Sequence, residues 1–313
     1  MVTDGKVVLK DATLREGLDT PNVHFSPVQQ LNIARLLEKA NVPEAEMVAP
    51  SRVSGDLEVV KTLKHQGVRL RTSGLIYAHT PSCTREIEEA ALCLDRFDLL
   101  MPVSPQRQPC DPREKVRLVQ ETVVHAVERH NDFGVGFPHS FQTEVEFLLE
   151  LAGEATRCGA QRVTVYDTNG SADPFVVHAL IQRFKKHLGV ALFFHGHNDL
   201  GLATANSLAA IYAGADGVDV TVNGLGDRAG NAALEQVAAA LHLKGFYTGV
   251  ALQELKELSR IVAEESGVPV SKLAPVVGEY VFWHRSPSHL ENPGLFEAFD
   301  PGLLCSERKL TGS

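Results

Sequence analysis

Short apolar segments alternate with longer segments of helical periodicity along most of the chain. The short segments are rich in valine, leucine and isoleucine, which favours buried strands. Eight candidate strands are predicted at 7–10, 44–48, 69–75, 97–103, 133–137, 162–166, 190–194 and 217–222. The longer segments predict helices that include 27–40, 113–129, 144–157, 174–188 and 203–213. This alternation is typical of repeated βα units and of a parallel sheet.

Eight βα units in residues 1–245 predict an α/β fold, a single TIM (β/α)₈ barrel. A doubly wound sheet would need a glycine-rich phosphate loop after the first strand, and residues 11–17 read Asp-Ala-Thr-Leu-Arg-Glu-Gly instead. From residue 246 the pattern changes to an amphipathic helix at 252–265, a short helical stretch near 271–274 and an irregular tail. We therefore expect a small C-terminal helical and irregular appendage, residues 246–313, near the barrel mouth.

Composition and charge narrow the function classes. The net charge of −9, without a dense run of lysine or arginine, argues against a nucleic-acid surface. The longest apolar runs are too short to cross a bilayer, and the N-terminus lacks the apolar segment of a secretion signal, so we expect no membrane contact and a cytoplasmic location. The five cysteines are odd in number and form no C-x-x-C pair, which favours lone reduced thiols.

The residues that follow the predicted strands are unusually polar. In a closed barrel of this kind, active-site groups lie where the strands end. His195 and His197 are two residues apart at the end of the seventh strand, so both imidazoles point to the same face. Two convergent imidazoles favour a metal ion over the alternative, a hydrogen-bonded pair of core histidines.

The other ligands of such a metal are predicted from neighbouring strand ends. Glu16 supplies a carboxylate after the first strand, and Asn231 supplies an oxygen after the eighth. Mixed nitrogen and oxygen ligation suits Zn²⁺, Mn²⁺ or Mg²⁺. Arg15, beside Glu16, could polarise a carbonyl and stabilise the enolate or alkoxide that develops as a C–C bond forms or breaks. The alternative for Arg15 is an ordinary salt bridge.

Several motifs around these residues resemble the DRE-TIM metallolyase superfamily, and within it the homocitrate synthase and isopropylmalate synthase branch. They are residues 11–17, the Asp-Thr-Asn-Gly at 167–170 and the long block from 195 to 231. In the appendage, residues 282–289 resemble the F-x-H-x-S-G-x-H element of that branch. The resemblance covers nearly the whole chain.

The resemblance implies a metal on Glu16, His195 and His197, with Asn231 nearby and Arg15 on the substrate carbonyl. It implies an acetyl-CoA co-substrate whose methyl carbon is deprotonated and added to the ketone of a 2-oxo acid, followed by thioester hydrolysis. It also implies a homodimer in which the appendage reaches the neighbouring subunit's site. The predicted catalytic residues are Arg15, Glu46, His284 and His289, and the predicted substrate contacts are Arg15, Asp19, Ser104, His139, Gln142, Thr168 and Asn169.

Some positions depart from the pattern of the branch. Gln142 stands where an arginine is usual, which removes a bidentate carboxylate anchor and disfavours an acceptor with a distal carboxylate. His139 could replace a lost acid or base, against the alternative of a surface-loop histidine. Further departures are Leu75, Pro138, Phe193, Phe296 and Asp19. The acceptor pocket is therefore predicted to be altered.

Three functions remain open on the sequence. The leading hypothesis is a metal-dependent acyltransferase that forms a C–C bond. The second is a lyase that cleaves a 3-hydroxyacyl thioester, like the hydroxymethylglutaryl-CoA lyases, although the loop at 224–231 lacks the cysteine of that branch. The third is a degenerate paralogue that binds metal and ligand without turnover.

Overall fold

Eight parallel strands close into a barrel in the computed structural model, which describes residues 6–49, 56–102 and 111–311. The strands are β1 (Val8–Asp11), β2 (Glu44–Val48), β3 (Thr72–Tyr77), β4 (Phe97–Leu100), β5 (Phe133–Phe137), β6 (Arg162–Asp167), β7 (Ala191–Gly196) and β8 (Gly217–Val220). Each strand pairs with the next, and β8 pairs with β1, where Val8 lies opposite Gly217. The predicted (β/α)₈ barrel is confirmed.

Helices follow the strands and cover the outside of the barrel. They are α1 (Pro27–Lys39), α2 (Asp56–His65), α3 (Cys83–Cys93), α4 (Pro112–Val127), α5 (Val145–Cys158), α6 (Pro174–His187), α7 (Ala203–Tyr212) and α8 (Leu234–Leu243). Local sequence explains their ends: Ser26 and Gln29 form a capping box before α1, and Gly159, at φ 119°, ends α5. Across the described ranges, no helix combines the length and apolarity that a membrane span requires.

The predicted strand boundaries differ from the observed ones at a few ends. β3 begins at Thr72 rather than at 69, and β8 ends at Val220 rather than at 222. The chain leaves β8 through a 3₁₀ turn at Val222–Gly224, in which Asn223 has a φ of 59°. β7 continues to Gly196, so His195 lies in the strand and His197 directly follows it. Apolar patterning misses the end of β7 because its ladder with β6 continues through His195 and Gly196, beyond the apolar residues.

The interior of the barrel holds a network of buried charges. Lys10 is fully buried, and its Nζ lies 2.8 Å from Glu46 Oε2 and 3.2 Å from both Asp98 Oδ2 and Asp219 Oδ2. Despite the opposing effect of burial, these three carboxylates raise the pKa of Lys10 well above its ordinary value, so it stays charged. The network therefore holds together side chains from four strands in the interior of the barrel, below its mouth.

The appendage begins with a helix that packs near the barrel mouth. α9 (Leu255–Ser266) contacts α1 and the turn after β8, where Asn223 Nδ2 donates to the Ser259 carbonyl at 2.9 Å. The tail forms α10 (Pro287–Glu291) and a parallel pair of two-residue strands, β9 (Trp283–His284) and β10 (Lys309–Leu310). The division of the chain into a barrel of residues 1–245 and an appendage of residues 246–313 stays a prediction.

The predicted short helix near 271–274 is wrong. These residues form a single turn, closed by the Ala274 N–H and the Ser271 carbonyl at 2.9 Å. Pro275 follows at once, and a residue before proline is disfavoured in the helical region. The turn therefore does not continue as a helix.

Glu235, at the start of α8, should make stability depend on pH. Its side chain is buried, Oε2 accepts the Asn223 N–H at 3.1 Å, and burial raises its pKa to about 7. Because the folded pKa lies above the unfolded one, ionisation destabilises the folded state progressively as pH rises towards 7. Glu235→Gln should thus raise the free energy of unfolding at pH 8 by up to about 3 kcal/mol and leave it nearly unchanged at pH 4. Urea unfolding at both pH values tests this; equal effects at the two values would contradict it.

Candidate metal and active site

A cavity of about 1080 Å³ opens at the carboxyl ends of the strands. This is the size and the place expected of a substrate site in such a barrel. The side chains that line it come from most of the strand ends, and they are Arg15, Glu16, Asp19, Leu75, Tyr77, Thr80, Leu100, Pro138, His139, Tyr166, Thr168, Asn169, His195, His197, Asp199, Asp227 and Arg228.

Three of these side chains form a potential metal-binding cluster. Glu16, His195 and His197 are buried, and each offers a ligand atom within 4.8 Å of the other two. His197 Nε2 lies 3.8 Å from Glu16 Oε1. One carboxylate and two imidazoles, whose ligand atoms lie close together, are a donor set of the mixed nitrogen and oxygen type predicted for Zn²⁺, Mn²⁺ or Mg²⁺. The structure thus brings together the three residues predicted from β1 and β7.

Neighbouring residues orient the cluster for metal binding. His195 Nδ1 lies 2.9 Å from Asp219 Oδ2, so this nitrogen carries the proton and Nε2 keeps its lone pair. Burial and the adjacent His195 lower the pKa of His197 to about 4. Burial alone would raise the pKa of Glu16, but the charge of Arg15 and the two histidines lower it to about 2. His197 and Glu16 therefore have the ligand-competent protonation states at neutral pH.

Asn231 fits the same site. Its Nδ2 lies 3.2 Å from His195 Nε2, while its Oδ1 is buried and has no hydrogen-bond partner among the described residues. Rotation of the amide by half a turn brings this unpartnered oxygen to the side of His195 Nε2, where a cation would be held. A Cβ on Gly226 would overlap Asn231 Oδ1, so the glycine makes room for the amide. The predicted ligand set suits a divalent cation.

Arg15 is held between two carboxylates. Its Nε donates to Glu46 and its Nη1 to Glu16, whereas its Nη2 is buried and unpartnered in the part of the chain described. Glu46, predicted to be catalytic, is fully buried and does not line the cavity. It binds Lys10 and Arg15, so it is placed to position Arg15 rather than to touch a substrate.

Arg15 lines the cavity, and the other predicted substrate contacts divide into three groups. Asp19, His139, Thr168 and Asn169 line the cavity, and the His139 backbone N–H donates to Thr168 Oγ1 at 2.8 Å. Gln142 lies outside the lining, in the 3₁₀ turn Ser140–Gln142, with its Nε2 3.5 Å from Ser171 Oγ. Ser104 falls outside the described residues.

His284 and His289 form a pair in the appendage. Their Nδ1 atoms are 3.1 Å apart, and His284 Nε2 lies 3.1 Å from Glu297 Oε1. The ring of Phe296 stacks on His289 at 3.9 Å between centroids. Neither histidine lines the cavity of its own chain. Their predicted place in a neighbouring subunit's site stays a prediction.

Several residues of the site were not predicted. Asp219 orients His195, Lys10 binds both Asp219 and Glu46, and Tyr166 stacks on His195 at 4.6 Å between centroids. A charged residue within a short buried strand, as at Lys10 and Asp219, is the signal that could have identified two of them. Tyr166 directly precedes the Asp-Thr-Asn-Gly motif and carried no comparable signal.

Phe193 gives a structural reason for one departure from the family pattern. Its ring is buried and lies 3.7 Å below the guanidinium of Arg162. Arg162 in turn makes two hydrogen bonds to Glu44, at 2.9 and 2.8 Å. Phe193 therefore packs in the charged base of the barrel and does not line the cavity.

Comparisons with known proteins place this architecture in a family. A family model described as HMGL-like matches residues 6–262. The chain belongs to the HMGL-like family. This HMGL-like chain is 36% identical to homocitrate synthase AksA of Methanopyrus kandleri, over 97% of the chain and 78% of that protein. It is 32% identical to 2-isopropylmalate synthase 2 of Caldanaerobacter subterraneus subsp. tengcongensis, over 98% of the chain and 82% of that protein.

A solved structure confirms the fold of the HMGL-like chain. Hydroxymethylglutaryl-CoA lyase from Pseudomonas aeruginosa superposes with a TM-score of 0.73 at 19% identity, covering 88% of this chain and 98% of that one. At this identity the likeness shows the barrel alone. The resemblance to the synthase branch, predicted from the motifs, is confirmed by the two sequence relatives.

Proposed function

We propose that this protein is an acyltransferase that condenses acetyl-CoA with a 2-oxo acid in a reaction that depends on a divalent metal. The observation that carries the proposal is the buried Nη2 of Arg15, which has no hydrogen-bond partner among the described residues and lies beside the cluster of Glu16, His195 and His197. A ketone oxygen bound there would receive both a cation and a guanidinium N–H. The synthase names of the two sequence relatives support C–C bond formation as the direction of the reaction.

The metal would be held by Glu16, His195 and His197, with Asn231 as a further oxygen donor. When bound, Zn²⁺, Mn²⁺ or Mg²⁺ supplies a Lewis acid for the ketone oxygen of the 2-oxo acid. Asp219 holds the His195 ring in its ligand orientation through the 2.9 Å hydrogen bond.

Arg15 stabilises the negative charge that develops on the ketone oxygen as the new C–C bond forms. Glu46 and Glu16 fix the guanidinium before the substrate binds, so little reorganisation is needed during the reaction. Arg15 is only 6% exposed, and the low local dielectric strengthens this hydrogen bond. Thr168 and Asn169, which directly follow β6, supply polar contacts for the acid.

A general base must remove a proton from the acetyl methyl group. We assign this step to the pair of His284 and His289, contributed by the neighbouring subunit of a homodimer. An imidazole nitrogen can accept a proton, and Glu297 orients His284 through the 3.1 Å contact. His139, at the rim of the same chain's cavity, is the alternative base.

A complementation experiment tests the shared site. His195→Ala and His289→Ala subunits, each inactive alone, are unfolded together, refolded and assayed. If each site combines residues of two subunits, the refolded mixture recovers about a quarter of the unsubstituted activity, because about half of the dimers are mixed and each mixed dimer carries one intact site of two. No recovery, with mixed dimers present, would contradict a base from the neighbouring subunit.

The proposed reaction is tested by following free CoA with a thiol reagent. Metal-loaded protein is incubated with acetyl-CoA and a panel of 2-oxo acids, and we expect CoA release that requires both substrates. His195→Ala should abolish the release, and His187→Ala, at an exposed position of α6, should not.

Two results would contradict the proposed reaction and favour one of the alternative functions. Carbonyl product from a hydroxyacyl-CoA, without acceptor-dependent CoA release, would indicate the lyase. Neither activity in a protein that retains its metal would indicate the paralogue without turnover.

A further inference from the structure

The deep end of the cavity is apolar, although its walls carry charge. Leu75 of β3, Leu100 of β4 and Tyr166 of β6 line the cavity and pack against one another. Tyr77, also in the lining, packs against this group. We call Leu75, Leu100 and Tyr166 the apolar floor, whose polar atom, Tyr166 Oη, is buried and has no hydrogen-bond partner among the described residues. Because the floor faces the barrel axis below the strand ends, it bounds the space that a substrate can occupy beyond the metal site.

Tyr166 joins the apolar floor to the metal site. One face of its ring stacks on His195, with 4.6 Å between centroids and 28° between planes. On its other side the ring crosses β5 at Gly136, where a Cβ would lie 2.6 Å from Tyr166 Cε2. Only glycine at this position leaves room for the ring. The side chain of a 2-oxo acid bound beside His195 would therefore meet Tyr166 first.

The cations nearest the floor, Arg15 and Lys10, lie close enough to Tyr166 to interact with it, but each is already paired with carboxylates. Arg15 is held by Glu16 and Glu46 beside the metal cluster, and Arg228 pairs with Asp199 at the mouth, with its Nε 2.8 Å from Oδ1. Below the floor, Lys10 is surrounded by three carboxylates. A carboxylate pressed against the described floor residues would lose its hydration without a counter-charge.

We propose that the acceptor is a 2-oxo acid with a short, uncharged side chain, and that Tyr166 sets the length it can have. This inference rests on the proposed function, since it requires the ketone and its carboxylate to bind beside His195 and Arg15. The remaining carbon atoms of the acid then lie against Leu75, Leu100 and the ring of Tyr166. This contact removes apolar surface from water and so stabilises the complex. A second carboxylate at the same place is disfavoured.

Two acids of nearly the same shape test the charge of the floor. In 4-methyl-2-oxopentanoate an isopropyl group replaces the distal carboxylate of oxaloacetate. Isothermal titration of protein loaded with Mg²⁺ should give about 100-fold tighter binding of 4-methyl-2-oxopentanoate, because only oxaloacetate buries an unpaired charge. When CoA release is followed, the KM for 4-methyl-2-oxopentanoate should likewise be lower than the KM for oxaloacetate. The KM for acetyl-CoA should be the same with both acids.

The length limit is tested with 5-methyl-2-oxohexanoate, which is one methylene longer. Tyr166→Ala should bind this acid at least about tenfold more tightly than the unsubstituted protein does, because removal of the ring deepens the cavity. Tyr166→Phe keeps the ring and should leave the preference for length unchanged. Leu100→Ala removes a floor side chain of β4 and so also enlarges the cavity. Binding of the longer acid to this variant tests the length limit if Tyr166→Ala fails to fold. Metal content is measured for every variant.

The outcomes separate this inference from the proposed function. Tighter binding and faster turnover of oxaloacetate would overturn the uncharged acceptor and leave the synthase standing. An unchanged length preference in folded Tyr166→Ala and Leu100→Ala would overturn the role of the floor. Absence of binding and of CoA release with every 2-oxo acid would overturn the proposed function, and the inference with it.

Discussion

Replacing Arg15 by lysine should lower kcat for CoA release by a factor of about 100 or more. A guanidinium can bind Glu46 through Nε and Glu16 through Nη1 and still present Nη2 to the substrate, whereas an ammonium cannot keep this geometry. Metal content should stay at the unsubstituted level, because Glu16 and both histidines remain. Steady-state kinetics and metal analysis of the same preparation measure the two effects.

A conservative change elsewhere controls for the Arg15 substitution. Arg117→Lys alters an exposed arginine of α4 that pairs with Glu121, and it should leave kcat unchanged. If Arg15→Lys also kept kcat within about threefold, the guanidinium would be a structural ion pair, and the stabilisation assigned to it would be contradicted.

Replacing Lys10 by methionine should destabilise the barrel by about 3–5 kcal/mol. The substitution keeps a long apolar side chain but leaves Glu46, Asp98 and Asp219 buried without their shared cation. Urea unfolding at pH 7 measures the loss. Lys61→Met is the matched control, since Lys61 makes an exposed pair with Glu58 on α2 and should change stability by less than about 1 kcal/mol.

Lys10 should affect the site as well as stability. It touches Glu46, which holds Arg15, and Asp219, which holds His195. Loss of a residue that orients a metal ligand typically weakens metal binding about 10- to 100-fold, and we expect a similar loss in Lys10→Met. Equal stability and equal metal affinity in Lys10→Met and Lys61→Met would show that the buried network has no such role.

The barrel and the cluster of Glu16, His195 and His197 could be predicted because both depend on local signals. The βα alternation shows the strands, and a spacing of two on an extended segment places His195 and His197 on one face. The rule that sites form at the carboxyl ends of barrel strands then adds Glu16 and Asn231 from distant parts of the chain.

The packing of the apolar floor could not be predicted, because it depends on how strands pack against one another. Tyr166 reaches the floor only because β5 presents Gly136 beside it, a relation that depends on strand pairing and side-chain packing. Gln142 looked like a substrate contact by analogy with an arginine, yet the 3₁₀ turn Ser140–Gln142 carries it away from the cavity. Pairing of β9 with β10 in the tail likewise joins residues that no local pattern connects.

Metal binding by His195 tests the central claim most directly. Metal-free protein is titrated with Mn²⁺ by isothermal calorimetry, and the bound metal is counted after dialysis. We expect one Mn²⁺ per chain in the unsubstituted protein and in His187→Ala, and at least about 100-fold weaker binding in His195→Ala, which lacks one of the three clustered ligands. If His195→Ala still bound one Mn²⁺ per chain with unchanged affinity, the metal site and the reaction built on it would be contradicted.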